Sequence, residues 1–370
     1  MFDFLPGPLH AIVPFVIVLG VLVFIHELGH YLAARWMGVH VEAFSIGFGR
    51  PLFRWTDRRG TEWRISWLPL GGYVKLHGQE RPEDVADDVR AGWRIGHTFQ
   101  EKPVWRRAIV IAAGPAANFL LTAVLFTGLI GYEGRADPAP VVGDMSPRSA
   151  ALAAGLRAGD VIGAIDGAPV ASFEAMRAVV SAHPGQPLVL SVHRDTADLT
   201  ITATPEPVGA GAARKGVLGI APAFQRVGPA ATLAAGLTAT WGVVVATLAG
   251  LWQVISGQAS SGDLGGPLRI AQMSGEVAAQ GLASLIGFIA ILSVNLGLLN
   301  LFPIPVLDGG HLMFYAAEAV RGRPLPARAL DYGFRAGFAV IVALFVFITV
   351  NDLGRWGLFH WVAGQVAGHG

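Results

Sequence analysis

The residues best suited to chemistry are His26, Glu27 and His30, which form an H-E-x-x-H motif within residues 24–30. On a helix, residues four apart share one face, so the two imidazoles can bind a single metal ion. Glu27 then lies beside the metal, where its carboxylate can take a proton from a water molecule. The spacing therefore predicts a metal-dependent hydrolytic centre.

This motif follows an apolar run. Residues 9–25 contain no charged side chain, and a run of this length predicts a helix that crosses a bilayer about 30 Å thick. Ionisable residues are costly at such depth and indicate a functional site. We do not predict a cleaved signal peptide, because no basic segment precedes the run and no small-residue cleavage site follows it.

The composition also indicates a membrane protein. Of the 370 residues, 53% are hydrophobic and 14% are charged, whereas soluble domains carry about 25% charged residues. A net charge of +1 gives no indication of nucleic-acid binding. The chain lacks cysteine, which excludes thiolate ligands, so a metal would be bound by His, Asp or Glu.

A second motif closes a strongly apolar run over residues 282–307. Its polar and helix-breaking residues are Asn300, Pro303, Pro305 and Asp308. Two prolines interrupt the helical hydrogen bonds, and irregular backbone is tolerated at membrane depth only beside protein or water. Asp308 is therefore a candidate third metal ligand, although a carboxylate that caps a helix beginning at Gly309 is the alternative.

The segment after the first helix predicts a β-hairpin. Residues 51–67 alternate apolar and polar side chains around a turn at residues 57–60. Trp63, Ile65 and Trp67 share one face, which suits either a membrane interface or a substrate-binding edge. The polar residues 78–103 predict a loose loop.

Residues 108–132 predict a second span, and residues 338–350 form the core of the last one. Within the second span, Gly114 and Asn118 suit close helix packing, with a direct part in chemistry as the alternative.

Residues 136–206 read as a soluble α+β domain. Their Ala-Gly-Leu and Gly-Asp-x-Ile sequences, ending at Ile162, resemble a bacterial PDZ domain, which binds an extended peptide or a C-terminus. A small domain without a ligand is the alternative.

The distribution of basic residues predicts the topology. Arg and Lys concentrate in residues 50–107 and recur between 321 and 335, which places both regions in the cytoplasm. Asp308 reaches the depth of His26 only if an even number of crossings separates His26 from the run that begins at Leu282. We therefore expect the apolar segment 232–255 to lie along the membrane surface or to pack against the PDZ-like domain, and we predict four spans.

The predicted fold class is a polytopic α-helical membrane protein with four core transmembrane helices, a membrane-associated β-hairpin and an inserted α+β PDZ domain. The expected domains follow in chain order: residues 1–40, first helix with the metal motif; 41–103, hairpin and loop; 104–132, second helix; 136–206, PDZ domain; 207–281, connector with a membrane-surface helix; 282–320, third core helix with the Asp308 motif; 333–353, last helix.

With these motifs in this order, the chain resembles the site-2 protease family of intramembrane zinc metalloproteases, and most closely its bacterial regulator of sigma-E protease branch. The resemblance implies that His26, His30 and Asp308 bind Zn²⁺ and that Glu27 is the general base. It also implies that the hairpin pairs with an extended substrate. The residues implied to hold the substrate backbone are Asn300, Pro303 and Pro305.

The resemblance further implies transmembrane protein substrates, either anti-sigma factors after a first cleavage or signal peptides. The PDZ domain would filter or dock substrates, and a peptide ligand is expected for it. The expected location is the bacterial inner membrane, with a periplasmic PDZ domain and a zinc site near the cytoplasmic side. One departure is that enterobacterial members carry two PDZ domains, whereas one is found here.

Three alternatives stay open. His311 competes with Asp308 as a ligand by its spacing. A PDZ-bearing membrane scaffold with an inactive metal site is a non-enzymatic reading, against which the intact Glu27 argues. A metal transporter is the third reading, and such proteins usually contain inverted repeats, which this sequence does not show.

Overall fold

The computed structural model describes residues 9–80, 85–209, 214–258 and 266–355. These residues form two compact units. One comprises the described residues up to Phe126 and from Gly236 onward, and the other is Thr127–Ala235. The first unit contains the H-E-x-x-H motif and the motif that ends at Asp308.

Helices and strands are numbered in chain order. The helices of the described residues are α1 (Leu9–Trp36), α2 (Asp87–Ala91), α3 (Val104–Glu133), α4 (Ala150–Ala153), α5 (Phe173–Ala182), α6 (Pro229–Ile255), α7 (Pro267–Gln280), α8 (Leu282–Leu301), α9 (Asp308–Arg321) and α10 (Ala327–Arg355). The strands are β1 (Val41–Thr56), β2 (Glu62–Leu76), β3 (Arg135–Ala136), β4 (Val142–Met145), β5 (Val161–Ile165), β6 (Ala168–Pro169), β7 (Leu188–Arg194), β8 (Ala197–Ala203), β9 (Glu206–Val208), β10 (Lys215–Val217), β11 (Ile220–Pro222) and β12 (Phe224–Gln225).

Several helices are long and apolar enough to cross a membrane, so the chain has the architecture of a polytopic helical membrane protein. Within the described residues there are five: α1, α3, α6, α8 and the part of α10 over Ala327–Phe347. Four of them coincide with the predicted spans. The additional one is α6, whose mean hydropathy of 1.6 is the lowest of the five, because Ala, Gly and Thr dilute its larger apolar side chains.

The packing of the helices around α1 shows their directions. Val18 and Leu22 of α1 share a buried cluster with Leu285 and Ile289 of α8. Farther toward the C-terminus, α1 carries His30, and α8 is followed by Asp308. The helices α1 and α8 therefore run in the same direction, as the depth argument requires. Glycines allow close contact between helices: a Cβ on Gly29 would overlap the carbonyl oxygen of Ala113 in α3.

The hairpin is longer than predicted, since β1 and β2 extend well beyond residues 51–67. They pair in antiparallel fashion, and residues 43–46 also have partners in both 72–75 and 62–65. The turn is where the sequence places it: the Asp57 carboxylate accepts hydrogen bonds from the backbone of Arg59 and Thr61, at 2.8 and 3.0 Å.

The loop after the hairpin, predicted to be loose, is anchored. The His77 ring accepts a hydrogen bond from the backbone of Arg94 (2.8 Å) and lies 2.7 Å from the Glu42 carboxylate. Phe99 is 2% exposed and belongs to the core cluster beside α1 and α3. One buried aromatic side chain thus ties this charged segment to the helices.

The Thr127–Ala235 unit is an α+β domain. Its largest sheet has the strand order β6-β5-β7-β8, and its core includes Val142, Ile162, Met176 and Leu190. The short helices begin at serine caps, as when Ser172 accepts a hydrogen bond from the backbone of Ala175. Strands continue to Gln225, so the unit extends beyond the 136–206 range of the PDZ resemblance.

Candidate metal and catalytic site

The structure brings together three of the residues that the sequence singles out, His26, His30 and Asp308. The Nε2 atoms of the two histidines are 3.2 Å apart, and they lie 3.2 and 3.5 Å from Asp308 Oδ2. Both histidines are 8% exposed. Within the described residues, this is the one group of three or more candidate metal ligands.

The hydrogen bonds around this cluster test whether it fits a metal ion. His30 Nδ1 lies 2.8 Å from the carbonyl oxygen of Val110. A carbonyl only accepts, so Nδ1 carries the proton and Nε2 presents a lone pair. That lone pair faces Asp308 Oδ2, a buried oxygen without a hydrogen-bond partner among the described residues. A shared cation satisfies two acceptors that face each other, and two imidazoles with one carboxylate suit Zn²⁺.

Asn118 holds the second histidine. It is fully buried, and its amide nitrogen lies 3.1 Å from His26 Nδ1, while its amide oxygen has no partner among the described residues. Exchanging the amide oxygen and nitrogen lets the oxygen accept a hydrogen bond from Nδ1–H and leaves His26 Nε2 for a metal. The sequence analysis favoured a packing role for Asn118. The sequence signal that could have indicated this role in orienting His26 is an amide side chain within an otherwise apolar span.

Gly114 provides the space that the two imidazoles occupy. A Cβ at this position would overlap His30 Nε2 and would lie 2.9 Å from His26 Cε1. Because α3 presents only backbone here, the histidines of α1 fit directly against it. The predicted close approach at Gly114 is therefore an approach of side chains to backbone within the site.

Glu27 faces the end of β2. Its carboxylate makes a hydrogen bond with the backbone of Val74, and a Cβ on Gly72 would lie 3.3 Å from Glu27 Cγ and 2.6 Å from the carbonyl oxygen of Ser45. The strand segment beside the catalytic candidate is thus 72–76. This segment lies outside the 51–67 hairpin that the sequence analysis connected with the substrate.

Asp308 reaches the cluster because the proline-rich segment separates α8 from α9, as predicted. Asp308 is the first residue of α9, Leu307 is the N-cap, and no side chain caps the helix. The carboxylate points to the histidines, so the capping alternative is wrong. Gly309 and Gly310 pack so closely on the carbonyls before them that a Cβ at either would overlap the backbone.

The other predicted site residues, Asn300, Pro303 and Pro305, are not members of the candidate ligand group. Asn300 is half-buried near the end of α8, and Pro303 is exposed. Pro305 packs against Gly337 of α10, since a Cβ added to Gly337 would lie 2.9 Å from Pro305 Cδ. The substrate-binding role of these three residues stays a prediction.

His311 is outside the ligand group. Its ring packs near Phe334 and Tyr315, at centroid distances of 5.3 and 6.4 Å. It lines a cavity of about 1000 Å³ together with Arg107 and Glu318. The geometry therefore favours Asp308 over His311 as the third ligand.

A second ionic cluster links α9 to α3, and the sequence analysis did not find it. Arg107 of α3 lies 2.7 Å from the Glu318 carboxylate of α9, with side chains 9% and 14% exposed. The guanidinium also donates to the carbonyl oxygen of Lys102 at 3.1 Å and lies 5.0 Å from the Tyr315 ring centroid. From sequence, Arg107 was counted only among the basic residues that indicate topology.

Comparison with known proteins identifies relatives over almost the whole chain. The model of peptidase family M50 matches residues 14–344. A candidate zinc metalloprotease of Rhizobium meliloti is 43% identical over 361 residues, covering 93% of this chain and 96% of the relative. Metalloprotease MmpA of Caulobacter vibrioides is 37% identical, covering 97% and 99%. Regulator of sigma-E protease RseP of Salmonella typhimurium is 32% identical, covering 92% and 98%.

Proposed function

Because the chain belongs to peptidase family M50, we propose that His26, His30 and Asp308 hold its catalytic zinc and that Glu27 is its general base. The protein is a zinc-dependent intramembrane metalloprotease, as the resemblance to site-2 proteases implied. The observation that carries the site assignment is the buried Asp308 oxygen, which faces two histidine nitrogens and no hydrogen donor.

The residues divide the chemistry among them. When bound, zinc polarises the scissile carbonyl and lowers the pKa of a water molecule toward about 7. Glu27 takes the proton from the attacking water and returns it to the leaving amine. Val110 and Asn118 keep the imidazoles oriented through their Nδ1 atoms, and the buried setting strengthens each of these interactions.

The end of β2 is suited to hold the substrate. A transmembrane helix hides its peptide groups in its own hydrogen bonds, so it must unwind before hydrolysis. Residues 72–76 pair with β1 along one edge, and Val74 presents backbone to Glu27 along the other. An extended substrate added to that edge would bring a peptide group to the general base.

The proposed substrates are transmembrane segments that can unwind. Examples are those of anti-sigma factors after a first cleavage, or the remnants of signal peptides. The name of the Salmonella relative, a regulator of sigma-E protease, supports this class. We assign the Thr127–Ala235 unit to the PDZ fold from its Ala-Gly-Leu and Gly-Asp-x-Ile sequences. A peptide ligand or docking role follows from that assignment.

We place the protein in the bacterial inner membrane, with the α+β unit periplasmic and the zinc site near the cytoplasmic side. The arginines in residues 50–107 and after α9 support this orientation.

The depth of α6 bears on the number of crossings. Thr247 of α6 donates a hydrogen bond to Asn295 of α8 at 2.8 Å. Asn295 is about 20 Å along its helix, and the nearby Gly297 packs against Asn118. This bond supports a position of α6 within the membrane in place of the membrane-surface position expected from sequence. We infer that α6 enters the membrane to the depth of Asn295.

The test is the Glu27→Gln variant of the full chain, assayed on a membrane-embedded substrate. We expect one zinc per chain and a loss of cleavage of about 10²–10⁴-fold. Glu174→Gln is the matched control, because Glu174 is exposed on α5, and it should cleave normally. Undiminished cleavage by Glu27→Gln would refute the assignment, whereas a metal transporter or an inactive scaffold would show no cleavage even in the unsubstituted protein.

A further inference from the structure

The hairpin exposes large apolar side chains on one face. Phe53 and Trp67 are 67% and 64% exposed, and Trp55 is 51% exposed. Phe53 pairs with Ile65 across the strands and Trp55 pairs with Trp63, so these side chains share a face. An exposed aromatic face next to a membrane-crossing helix is expected to contact lipid.

Contacts with α1 give the depth of the hairpin. Near its turn, the Trp63 ring lies 5.2 Å from that of Tyr31, in the last two turns of α1. Toward the other end of the sheet, a Cβ on Gly72 would lie 2.8 Å from the side chain of Val23. The helix ends at Trp36, which is 79% exposed. The turn therefore lies where α1 leaves its apolar environment.

Positive charge collects at this depth. We define the hairpin rim as Arg35, Trp36, Arg54, Trp55, Arg58 and Arg59. Within the described residues, no carboxylate lies within ion-pair distance of its four arginines.

The two carboxylates at this end of the hairpin are already engaged. Asp57 accepts hydrogen bonds from the turn backbone and from the Trp63 indole at 3.1 Å. Glu62 pairs with Arg64 at 2.7 Å. Arg35 and Arg54 also interact electrostatically with Asp57 and Glu62, but the four rim arginines outnumber these two carboxylates, so positive charge remains in excess at this end of the hairpin.

We propose that the hairpin rim binds the phosphate headgroups of anionic phospholipids. Guanidinium groups match phosphate oxygens in pairs of hydrogen bonds, and interfacial tryptophans place the acyl chains against the apolar face. Hydrocarbon is needed to cover Phe53 and Trp67, which favours a lipid over a soluble phosphate or a nucleic acid. Arg50 lies farther from the turn along β1 and is not part of the rim.

Lipid binding at the rim has a consequence for the active site. The sheet that carries the rim also carries Gly72 and Val74, which contact Glu27. Headgroups that hold the turn at the membrane surface hold this edge at the depth of the general base. This step rests on the proposed function, because it assumes that Glu27 and the β2 edge act together on a substrate.

The absence of cysteine allows a direct test. Thr56→Cys, made in the Glu27→Gln background to prevent turnover, takes a fluorophore beside the rim. The full chain is reconstituted in phosphatidylcholine bilayers with a minor fraction of doxyl-labelled phosphatidylglycerol or doxyl-labelled phosphatidylcholine. We expect stronger quenching by the phosphatidylglycerol. At about 1 kcal/mol for each basic residue, Arg58→Gln with Arg59→Gln should reduce this preference by about 30-fold.

The matched control removes two arginines from the α+β unit, Arg177→Gln with Arg214→Gln, and should keep the preference. Equal quenching by the two lipids, or an unchanged preference in the rim variant, would overturn the proposal. Loss of the preference on adding glycerol phosphate would identify a soluble phosphate site and would also overturn it. Emission that changes with protein concentration in phosphatidylcholine alone would point instead to a second copy of the chain.

A cleavage assay tests whether lipid binding at the hairpin rim affects catalysis. In otherwise unsubstituted protein, phosphatidylglycerol should raise kcat/KM several-fold, and the rim variant should lose this increase. Because quenching is measured with Glu27→Gln, it reports lipid binding even if the protease assignment fails. Quenching preference without any effect on cleavage would retain the lipid site and remove its link to catalysis.

Discussion

Helix α9 takes part in two buried ionic clusters, one with α1 and one with α3, that differ in their completeness. Arg107 and Glu318 compensate each other, and further partners from Lys102 and Tyr315 surround the guanidinium. The cluster of His26, His30 and Asp308 instead leaves a buried carboxylate oxygen without a donor. Burial of charged groups is costly in both places. Only the second cluster needs a component that the chain itself does not supply.

This difference separates a structural ion pair from a functional site better than burial or charge does. Both clusters are buried, and both join residues that are distant in sequence. A complete pair holds two helices together and has no further capacity, whereas an incomplete one binds a cation. Substitutions in the two clusters test this difference, and Asp308→Asn is expected to have the largest effect.

Asp308→Asn removes the negative charge of the carboxylate that is proposed to bind the metal in the incomplete cluster. We expect zinc content to fall from about one ion per chain to nearly none, and cleavage to fall to background. Metal analysis of the purified protein measures the first effect and a membrane-substrate assay the second. Full zinc occupancy in this variant would shift the ligand assignment to His311.

Arg107→Met breaks the complete cluster and leaves Glu318 buried without a partner. We expect a loss of about 3–5 kcal/mol in the free energy of unfolding, measured by denaturant titration in detergent. The double variant Arg107→Met, Glu318→Leu should recover most of it, because no charge is left buried. If the single variant lost zinc while keeping its stability, the two clusters would be one functional unit and the contrast would fail.

Asn118→Ala removes the group that orients His26. Zinc affinity should fall about 10–100-fold, as measured by competition with a chelator, while Asn118→Asp should retain most of it through the remaining acceptor. Thr122→Val is the control on the same helix, since the Thr122 hydroxyl donates to the backbone carbonyls of Asn118 and Ala290 and leaves the Asn118 side chain in place. Equal losses in both variants would mean that Asn118 acts through packing alone.

Asp160 and Arg194 form a third ion pair, at 2.7 Å, in the α+β unit. The Arg194 guanidinium lowers the pKa of Asp160, so the pair stabilises the folded unit above the unfolded pKa of about 4. That stabilisation is lost as the pH falls through the lower folded pKa. Arg194→Met should therefore destabilise the unit at pH 7, and the difference should shrink below about pH 4. Hydrogen exchange of β5 and β7 in the full chain measures it, and a pH-independent difference would contradict the assignment.

The sequence was sufficient for the parts of the site that depend on local spacing. The H-E-x-x-H motif puts His26 and His30 on one helical face, and the prolines before Asp308 predict the break between α8 and α9. The parallel course of α1 and α8 followed from the requirement that their polar residues meet. These predictions needed only periodicity and the cost of charge in a membrane.

Contacts between distant segments were beyond this reasoning. Asn118 and Arg107 acquire their roles from residues on other helices, so composition alone could not separate packing from chemistry. The hairpin was predicted too short because the Pro69, Gly71 and Gly72 sequence is typical of a strand end. In the structure, Gly72 is needed because β1 and α1 leave no space for a side chain.

The distance along the chain between the metal ligands has a consequence for synthesis. His26 emerges from the ribosome about 280 residues before Asp308, and at about 5–20 residues per second this interval lasts roughly 15–60 s. During that time the first helix carries two imidazoles and a base but only part of the zinc site. The growing chain is therefore not yet a protease while its own helices enter the bilayer unpacked. The order of the proposed ligands along the chain therefore delays assembly of the zinc site until α8 has been synthesised.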